Sequence, residues 1–171
     1  SQTLVHYWVR VEDEAGRVTS FPYESDPAPT AAYFHYDNEI ESGNTLYFLF
    51  MDRQTLTQLS RNPRDDAFLN CSLVIDDRRV GKEEGPIAYA HIGARRRGRN
   101  SRMNSRHQWK FKFNRDHLYD GNRTVDTMLS IPLVQRLGFM VFDVAGTDNL
   151  ESEVIGLYLN GRFWEPYVAF E

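Results

Sequence analysis

Residues 95–113 read RRRGRNSRMNSRHQWKFKF, a basic run that leads into an alternating aromatic segment. Arginine occupies positions 95, 96, 97, 99, 102 and 106, and lysine occupies positions 110 and 112. Trp109, Phe111 and Phe113 alternate with the two lysines. Because successive side chains of a strand point to opposite faces, this pattern predicts a half-buried strand with both lysines on its polar side.

The basic run has three possible interpretations. It is a solvated loop whose arginines pair with some of the 24 acidic residues, a phosphate cradle, or a surface for nucleic acid or another polyanion. A cradle is favoured by Gly98, which lets backbone approach a ligand, and by the bidentate match between arginine and phosphate. The inward alternation of the aromatic residues and the net charge of −4 argue against a nucleic-acid binder.

The N-terminal residues 4–21 alternate between apolar and polar positions and predict a β-hairpin. Two strands cannot bury a face against each other, so this hairpin needs a larger sheet to join. Segment 22–31 contains three prolines and predicts an extended linker. We therefore expect a hairpin at 1–23, a linker at 24–44 and a main domain at 45–171.

The main domain is expected to begin with the apolar strand LYFLFM, followed by a helix in DRQTLTQLSRNP. Asp52 is a good N-cap and Pro63 stops this helix. A second helix is predicted over 124–138, with Gly138 as its C-cap, although Pro132 indicates a kink or a later start. The remaining strands are predicted at 68–75, 87–94, 109–113, 154–159 and 162–171, with an Asn160-Gly161 turn between the last two.

Composition and residue spacing argue against a membrane-spanning segment and against a zinc site built on cysteine. The chain of 171 residues is 41% hydrophobic, enough for an ordinary core. It has no run of about 18 apolar residues and no signal-peptide layout. The single cysteine, Cys71, has no ligand-spaced partner for zinc and is predicted to be a buried structural thiol.

No general catalytic motif is present: the sequence lacks a G-x-S-x-G elbow, a P-loop and an H-E-x-x-H pair. The histidines at positions 6, 35, 91, 107 and 117 are scattered, and each is expected to be a surface or packing residue. The acidic pairs at 65–66, 76–77 and 83–84 lie at helix ends and turns. Carboxylates there are well solvated, so we expect no metal site.

Five segments follow one another in a specific order: LYFLFM, DRQTLTQLSRNP, RRRGRNSR, WKFKF and LYLNGRFWEPYVAFE. In this order they resemble the spore-coat CotH kinase-like family, whose members show an R-G-x-S-S-R segment, a W/Y-K-I-K-F strand and a late L-Y-L-N-G hairpin. The similarity covers residues 45–171. The preceding hairpin and proline-rich segment resemble the end of a fibronectin- or immunoglobulin-like domain, which often precedes the CotH-like region.

The resemblance implies an α+β fold: a mostly antiparallel twisted sheet with one or two helices, like the small lobe of an atypical protein kinase, plus the N-terminal hairpin. It implies that Lys110 or Lys112 meets the phosphates of ATP bound with magnesium, and that Glu171 orients this lysine. The segment matching the R-G-x-S-S-R motif would lie near the phosphates and consists of Arg97, Gly98, Arg99, Ser101 and Arg102.

The chain departs from the family pattern in three places. Residues 105–108 read SRHQ where the family has Pro-Lys-Lys-Ser, and Glu165-Pro166 replaces Gly-Leu in the hairpin. The sequence also stops at Glu171, before the aspartates that hold magnesium in the family. Phosphoryl transfer needs those carboxylates, so we expect no complete catalytic set and no activity from this chain alone.

The resemblance implies a fragment or truncated form of an extracellular or cell-surface CotH-like protein, and we expect it to act as a structural, self-assembling or binding module. The apolar face of the hairpin is expected to be covered by a second copy of the chain or by the chain's own sheet. The remainder of a larger polypeptide is the other expected partner, whereas a membrane span or nucleic acid is not expected. The alternative functions are the nucleotide-binding lobe of a secreted kinase and a polyanion-binding surface.

Overall fold

The computed structural model describes residues 2–22, 30–36, 40–79, 85–103, 107–129, 131–148 and 150–170. These residues form eleven strands and two α-helices. In chain order they are β1 (Gln2–Tyr7), β2 (Val9–Glu12), β3 (Val18–Phe21), β4 (Ala31–Tyr36), β5 (Thr45–Phe50), α1 (Arg53–Arg61), β6 (Leu69–Asp76), β7 (Ile87–Arg96), β8 (Trp109–Lys112), β9 (Thr124–Met128), α2 (Pro132–Val144), β10 (Ser152–Leu159) and β11 (Arg162–Phe170).

Seven strands close into a barrel in the order β10, β11, β9, β8, β7, β6, β5. Neighbouring strands are antiparallel, except that β5 and β10 pair in parallel, from Thr45 opposite Ile155 to Leu49 opposite Leu159. This pairing joins the two edges of the sheet. The expected α+β fold, a mostly antiparallel twisted sheet like the small lobe of a kinase, is therefore wrong: the protein is mostly β, with a closed barrel and two short helices. Alternation of residues predicts strands, but it does not reveal that two distant edges meet.

The interior of the barrel is filled by the inward side chains of its strands. Trp109, Phe111 and Phe113 point inward and are buried, as the alternation predicted. The Trp109 and Phe111 rings stack with centroids 6.3 Å apart. Cys71 is buried in the same core, which confirms the prediction of a structural thiol, and burial raises the pKa of its thiol.

A two-stranded sheet of β1 and β4 covers one outer side of the barrel. Leu4 and Phe34 pack against Phe48 of β5, and the rings of Phe34 and Phe48 lie 5.0 Å apart. β4 falls inside the segment predicted as a linker. The first strand of the chain thus packs on the chain's own barrel.

Two local predictions are confirmed. Asp52 caps α1, since its Oδ1 accepts a hydrogen bond of 2.7 Å from the backbone N–H of Thr55, and the helix ends before Pro63. The turn between β10 and β11 is formed by Asn160 and Gly161, whose φ angles are 48° and 77°. A two-residue hairpin turn of this kind needs positive φ at both positions.

The second predicted helix is wrong in its first half. Residues Thr124–Met128 form β9, and α2 begins at Pro132 and continues through Gly138, which is not a C-cap. Val125 and Thr127 point into the barrel, so strand pairing with β8 and β11 prevails over the helical spacing of the apolar residues. Pro132 is tolerated at the helix start because its missing N–H has no intrahelical partner there.

Candidate functional site

The predicted basic site lies on the outer wall of the barrel, along β7 and its connection to β8. Arg96 instead points toward the interior and is buried, donating one hydrogen bond of 3.0 Å to the carbonyl of Arg102 and another of 2.9 Å to Nε2 of His107. Arg96 therefore ties the connection to the barrel. Arg96 is therefore a structural residue, and its guanidinium is not accessible to a ligand.

Asp66 pairs with two arginines of the basic run. Its Oδ1 accepts from Arg102 at 2.7 Å and from Arg95 at 2.9 Å. Arg102 also donates to the backbone carbonyl of Arg64 at 2.9 Å. The hydrogen bond and charge of Arg102, followed by the charge of Arg95, lower the pKa of the Asp66 carboxyl.

Asp126 on β9 pairs with two more cations. Nε of Arg97 lies 3.1 Å from one of its oxygens, and Nζ of Lys110 lies 3.3 Å from the carboxylate. The guanidinium of Arg97 also lies 4.7 Å from the centre of the Phe170 ring, within cation–π distance. Of the predicted phosphate ligands, the structure thus brings Arg97 and Lys110 together, but on a carboxylate of the same chain.

The remaining predicted site residues do not converge. Lys112 lies over the Phe68 ring at 5.3 Å, and Arg99 is exposed. Ser101 begins a short 3-10 turn, and its Oγ would lie 2.0 Å from a Cβ at Gly98. Glycine at position 98 is therefore required by its own loop, which has a φ of 94° there. Glu171 and residues 104–106 fall outside the described part of the chain.

A cavity of about 610 Å³ opens at the end of the barrel where β5 and β10 begin. Its walls include Tyr47 and Val125 from the barrel and Arg136 and Asp143 from α2. None of the predicted cofactor-binding residues that the structure describes lines it. No local sequence pattern predicted this cavity, because its walls come from distant segments that meet only after the barrel has closed.

Glu153 is the central polar group of the cavity. It accepts hydrogen bonds from Oγ1 of Thr45 at 2.6 Å and from the hydroxyl of Tyr119 at 3.3 Å. Burial raises the pKa of its carboxyl, although the Thr45 hydrogen bond opposes this shift. Arg79 binds Asp77 and Asp120 and lies 4.0 Å from Glu153. The charge of Arg79 lowers the pKa of the Glu153 carboxyl, whereas the charge of Asp77 raises it.

The α2 helix carries its apolar side outward. Arg136 faces the barrel, where it donates a hydrogen bond of 2.9 Å to Oγ of Ser152, and Phe139 packs on Phe170. Another side of the helix is apolar and exposed, with Leu137 at 60% and Val144 at 90%. We call this side, formed by Leu133, Leu137, Met140 and Val144, the helix stripe.

The hairpin of β2 and β3 is also uncovered, since among the described strands these two pair only with each other. Val9 lies opposite Phe21 and Val11 lies opposite Thr19, which places them on one face. Val11 is 60% exposed and Phe21 is 57% exposed. We call this apolar side, formed by Val9, Val11 and Phe21, the hairpin face.

Comparison with known proteins finds no matching family model and no matching curated protein. The resemblance to CotH-like proteins therefore stays a prediction, as do an extracellular location and the binding of ATP with magnesium. Neither helix of the described residues is long and apolar enough to cross a membrane.

Proposed function

We propose that this chain is a structural module that assembles with further copies of itself through the hairpin face and the helix stripe. The observation that supports this most directly is that both apolar surfaces stay uncovered by the described residues, although the barrel core is complete. Exposed apolar patches of this kind mark interaction sites.

The hairpin face suits a second hairpin because two-stranded sheets gain stability only when a face is buried. Two copies packed face to face would form a small sandwich that shields Val9, Val11 and Phe21 of each copy from water. Opposite this face, the hairpin carries one cation, Arg10, and one anion, Glu12. The two charges balance, so the hairpin lacks the excess of positive charge that would attract nucleic acid or an anionic membrane.

The helix stripe suits a second helix because its four residues are spaced by four, three and four positions, the spacing of a helix-pairing seam. The helix has 13 residues and is therefore about 20 Å long. One such seam buries less than the roughly 1,200 Å² of a standard stable interface. We therefore expect each contact to be weak and the assembly to depend on concentration.

Two self-complementary contacts on different surfaces have a geometric consequence. A chain with one such contact stops at a dimer, whereas a chain with two different contacts alternates them. Contacts whose twofold axes meet produce a closed assembly, and contacts whose axes do not meet produce an open-ended row. The proposed module would therefore form assemblies larger than a dimer. Loss of either contact should leave dimers, and loss of both should leave monomers.

The test is light scattering of the purified chain over a range of concentrations. The native chain should grow with concentration, and Val11→Lys and Leu137→Lys should each stop at a dimer. The double variant should be monomeric. Met103→Lys is the matched control, because Met103 is 57% exposed but belongs to neither surface. A native chain that stays monomeric at every concentration would contradict the proposal, as would single variants that assemble like the Met103 variant.

Phosphate binding by the basic run, whether of nucleotides or of a polyanion, has less support. A phosphate at Arg97 and Lys110 would have to displace the Asp126 carboxylate, and one at Arg102 would have to displace Asp66. We therefore rank binding of nucleotides or of a polyanion below self-assembly as the function of this chain. Removal of one of these carboxylates provides a direct test of them, given below.

A further inference from the structure

We propose that His6, Thr30 and His91 form a binding site for a late divalent transition-metal ion, such as Zn²⁺ or Cu²⁺. The two histidines belong to different layers of the molecule. His6 is on β1 of the outer sheet and His91 is on β7 of the barrel. A metal ion bound by both would join the outer sheet to the barrel wall.

The two imidazoles converge on one point. Nδ1 of His6 lies 2.9 Å from Oγ1 of Thr30, and Nε2 of His91 lies 2.6 Å from the same oxygen. In the register of the outer sheet, His6 shares the face of Leu4, which packs on the barrel. One nitrogen of each ring is thus directed to a common position between the layers, with a hydroxyl oxygen beside it.

The spacing of the rings suits a metal ion with tetrahedral ligands. Their centroids are 5.3 Å apart and their planes meet at 62°. With metal–nitrogen distances of about 2.0–2.1 Å and a tetrahedral angle, two imidazole centroids lie roughly 5.2 Å apart. The two rings could therefore bind one ion after small rotations, and Thr30 or water would complete the coordination sphere of the ion.

The far nitrogen of each ring also has a neighbour, as in many metal sites. Oγ of Ser72 lies 3.3 Å from Nε2 of His6, and the side-chain amide of Asn70 lies 3.4 Å from Nδ1 of His91. Hydroxyl and amide oxygens can accept the remaining ring N–H, which fixes the tautomer that leaves the near nitrogen free for a metal. The amide of Asn70 needs only to turn over to present its oxygen.

His91 has one further property that fits a ligand role. Its φ angle is 51°, an uncommon value for a residue other than glycine, and such conformations cluster at functional sites. No group of three or more His, Cys, Asp or Glu side chains in the described residues could hold a metal. The proposed site therefore has two protein nitrogens, and we expect its affinity to be modest.

The test uses this chain without a histidine tag, stripped of metal by a chelator and then titrated calorimetrically with ZnCl₂. One ion should bind per chain, and the thermal unfolding midpoint should rise as zinc is added. With CuCl₂, the electron paramagnetic resonance spectrum should show splitting from two nitrogen ligands. Absence of stoichiometric binding, or a copper signal without two nitrogens, would overturn the proposal even if no variant could be prepared.

Three variants locate the site. His6→Gln and His91→Asn should each weaken zinc binding about tenfold or more, and asparagine tolerates the positive φ at position 91. His35→Gln is the matched control, because His35 lies on the same outer sheet but on the face away from Leu4 and Phe34. Circular dichroism without metal should show that the variants are folded. Zinc affinities of the His6 and His91 variants equal to that of the His35 variant would place the ion elsewhere and disprove the assignment.

Discussion

In the barrel, every strand has a paired neighbour on each edge, and Phe111 in its interior is 0% exposed. In the β2–β3 hairpin and in α2, by contrast, apolar side chains such as Val11 and Leu137 face outward. The same chemical groups therefore occur in two opposite environments. Since burial of apolar surface is the main source of folding free energy, the barrel should supply the stability of the chain. The two outer elements retain apolar surface that is available for association.

The charged residues differ between the regions in a similar way. On the barrel wall, Asp66 and Asp126 each pair with two cations of the basic run. The hairpin face and the helix stripe contain no charged residue. The cations of the wall therefore share carboxylate partners from the same chain, whereas the outer elements lack the charge that would keep apolar surfaces apart.

The largest expected effect is the difference between the two regions in their contribution to the free energy of unfolding. Phe111→Ala removes a ring from the closed core and should lower the free energy of unfolding by about 3–5 kcal/mol. Val11→Ala and Leu137→Ala remove exposed side chains and should each change it by less than about 0.5 kcal/mol. Urea unfolding followed by circular dichroism, at a concentration low enough to keep the chain monomeric, provides the measurement. Equal losses for the core and the outer variants would show that the outer elements are part of the cooperative core.

Short-range features of this fold could be predicted from the sequence. The alternation of Trp109, Phe111 and Phe113, the Asp52 cap and the Asn160-Gly161 turn each involve neighbouring residues, and each is confirmed. Local chemistry decides them, so the pattern contains the information that is needed.

Long-range features could not be predicted in this way. Closure depends on the pairing of β5 with β10, which are far apart in the sequence, and β9 is a strand because it lies between β8 and β11. The carboxylate partners of the basic run, Asp66 and Asp126, likewise come from other segments. Nor did the spacing of the scattered histidines indicate that His6 and His91 meet. Pairing across the fold, which no local pattern encodes, decides all of these features.

A prediction of intermediate size tests whether the cations of the barrel wall depend on carboxylates of the same chain. Asp126→Asn leaves Arg97 and Lys110, which are 28% and 26% exposed, without their shared anion. We expect a loss of ~1–2 kcal/mol in urea unfolding, between the values for surface and buried ion pairs. The freed cations should also increase retention on heparin and binding of Mg-ATP in calorimetric titration. Heparin retention should then fall as salt rises.

Asp116→Asn is the control for this change, since Asp116 is exposed and has no ion pair among the described residues. It removes the same charge from the chain, so any general effect of net charge appears in both variants. Stronger binding of ATP or heparin by the native chain than by Asp126→Asn would reverse the interpretation, because it would make Asp126 part of the binding site.

The smallest expected effect concerns Glu153, at the cavity between the barrel and α2. Burial raises the pKa of its carboxyl above the ordinary value of 4.5, so the folded chain holds this proton at pH values where the unfolded chain has released it. The stabilising contribution of protonated Glu153 is therefore complete below pH 4.5 and is lost as pH rises through the folded-state pKa. Glu153→Gln cannot titrate, so the free energy of unfolding of the native chain, minus that of this variant, should decline across the same range.

Parallel urea titrations at a series of pH values measure the difference, and Glu151→Gln reports the effect of removing an exposed carboxylate from the same segment. A difference that stays constant with pH, or increases with it, would show that the cavity does not isolate Glu153 from water, and that this end of the barrel is as open as the surfaces outside it.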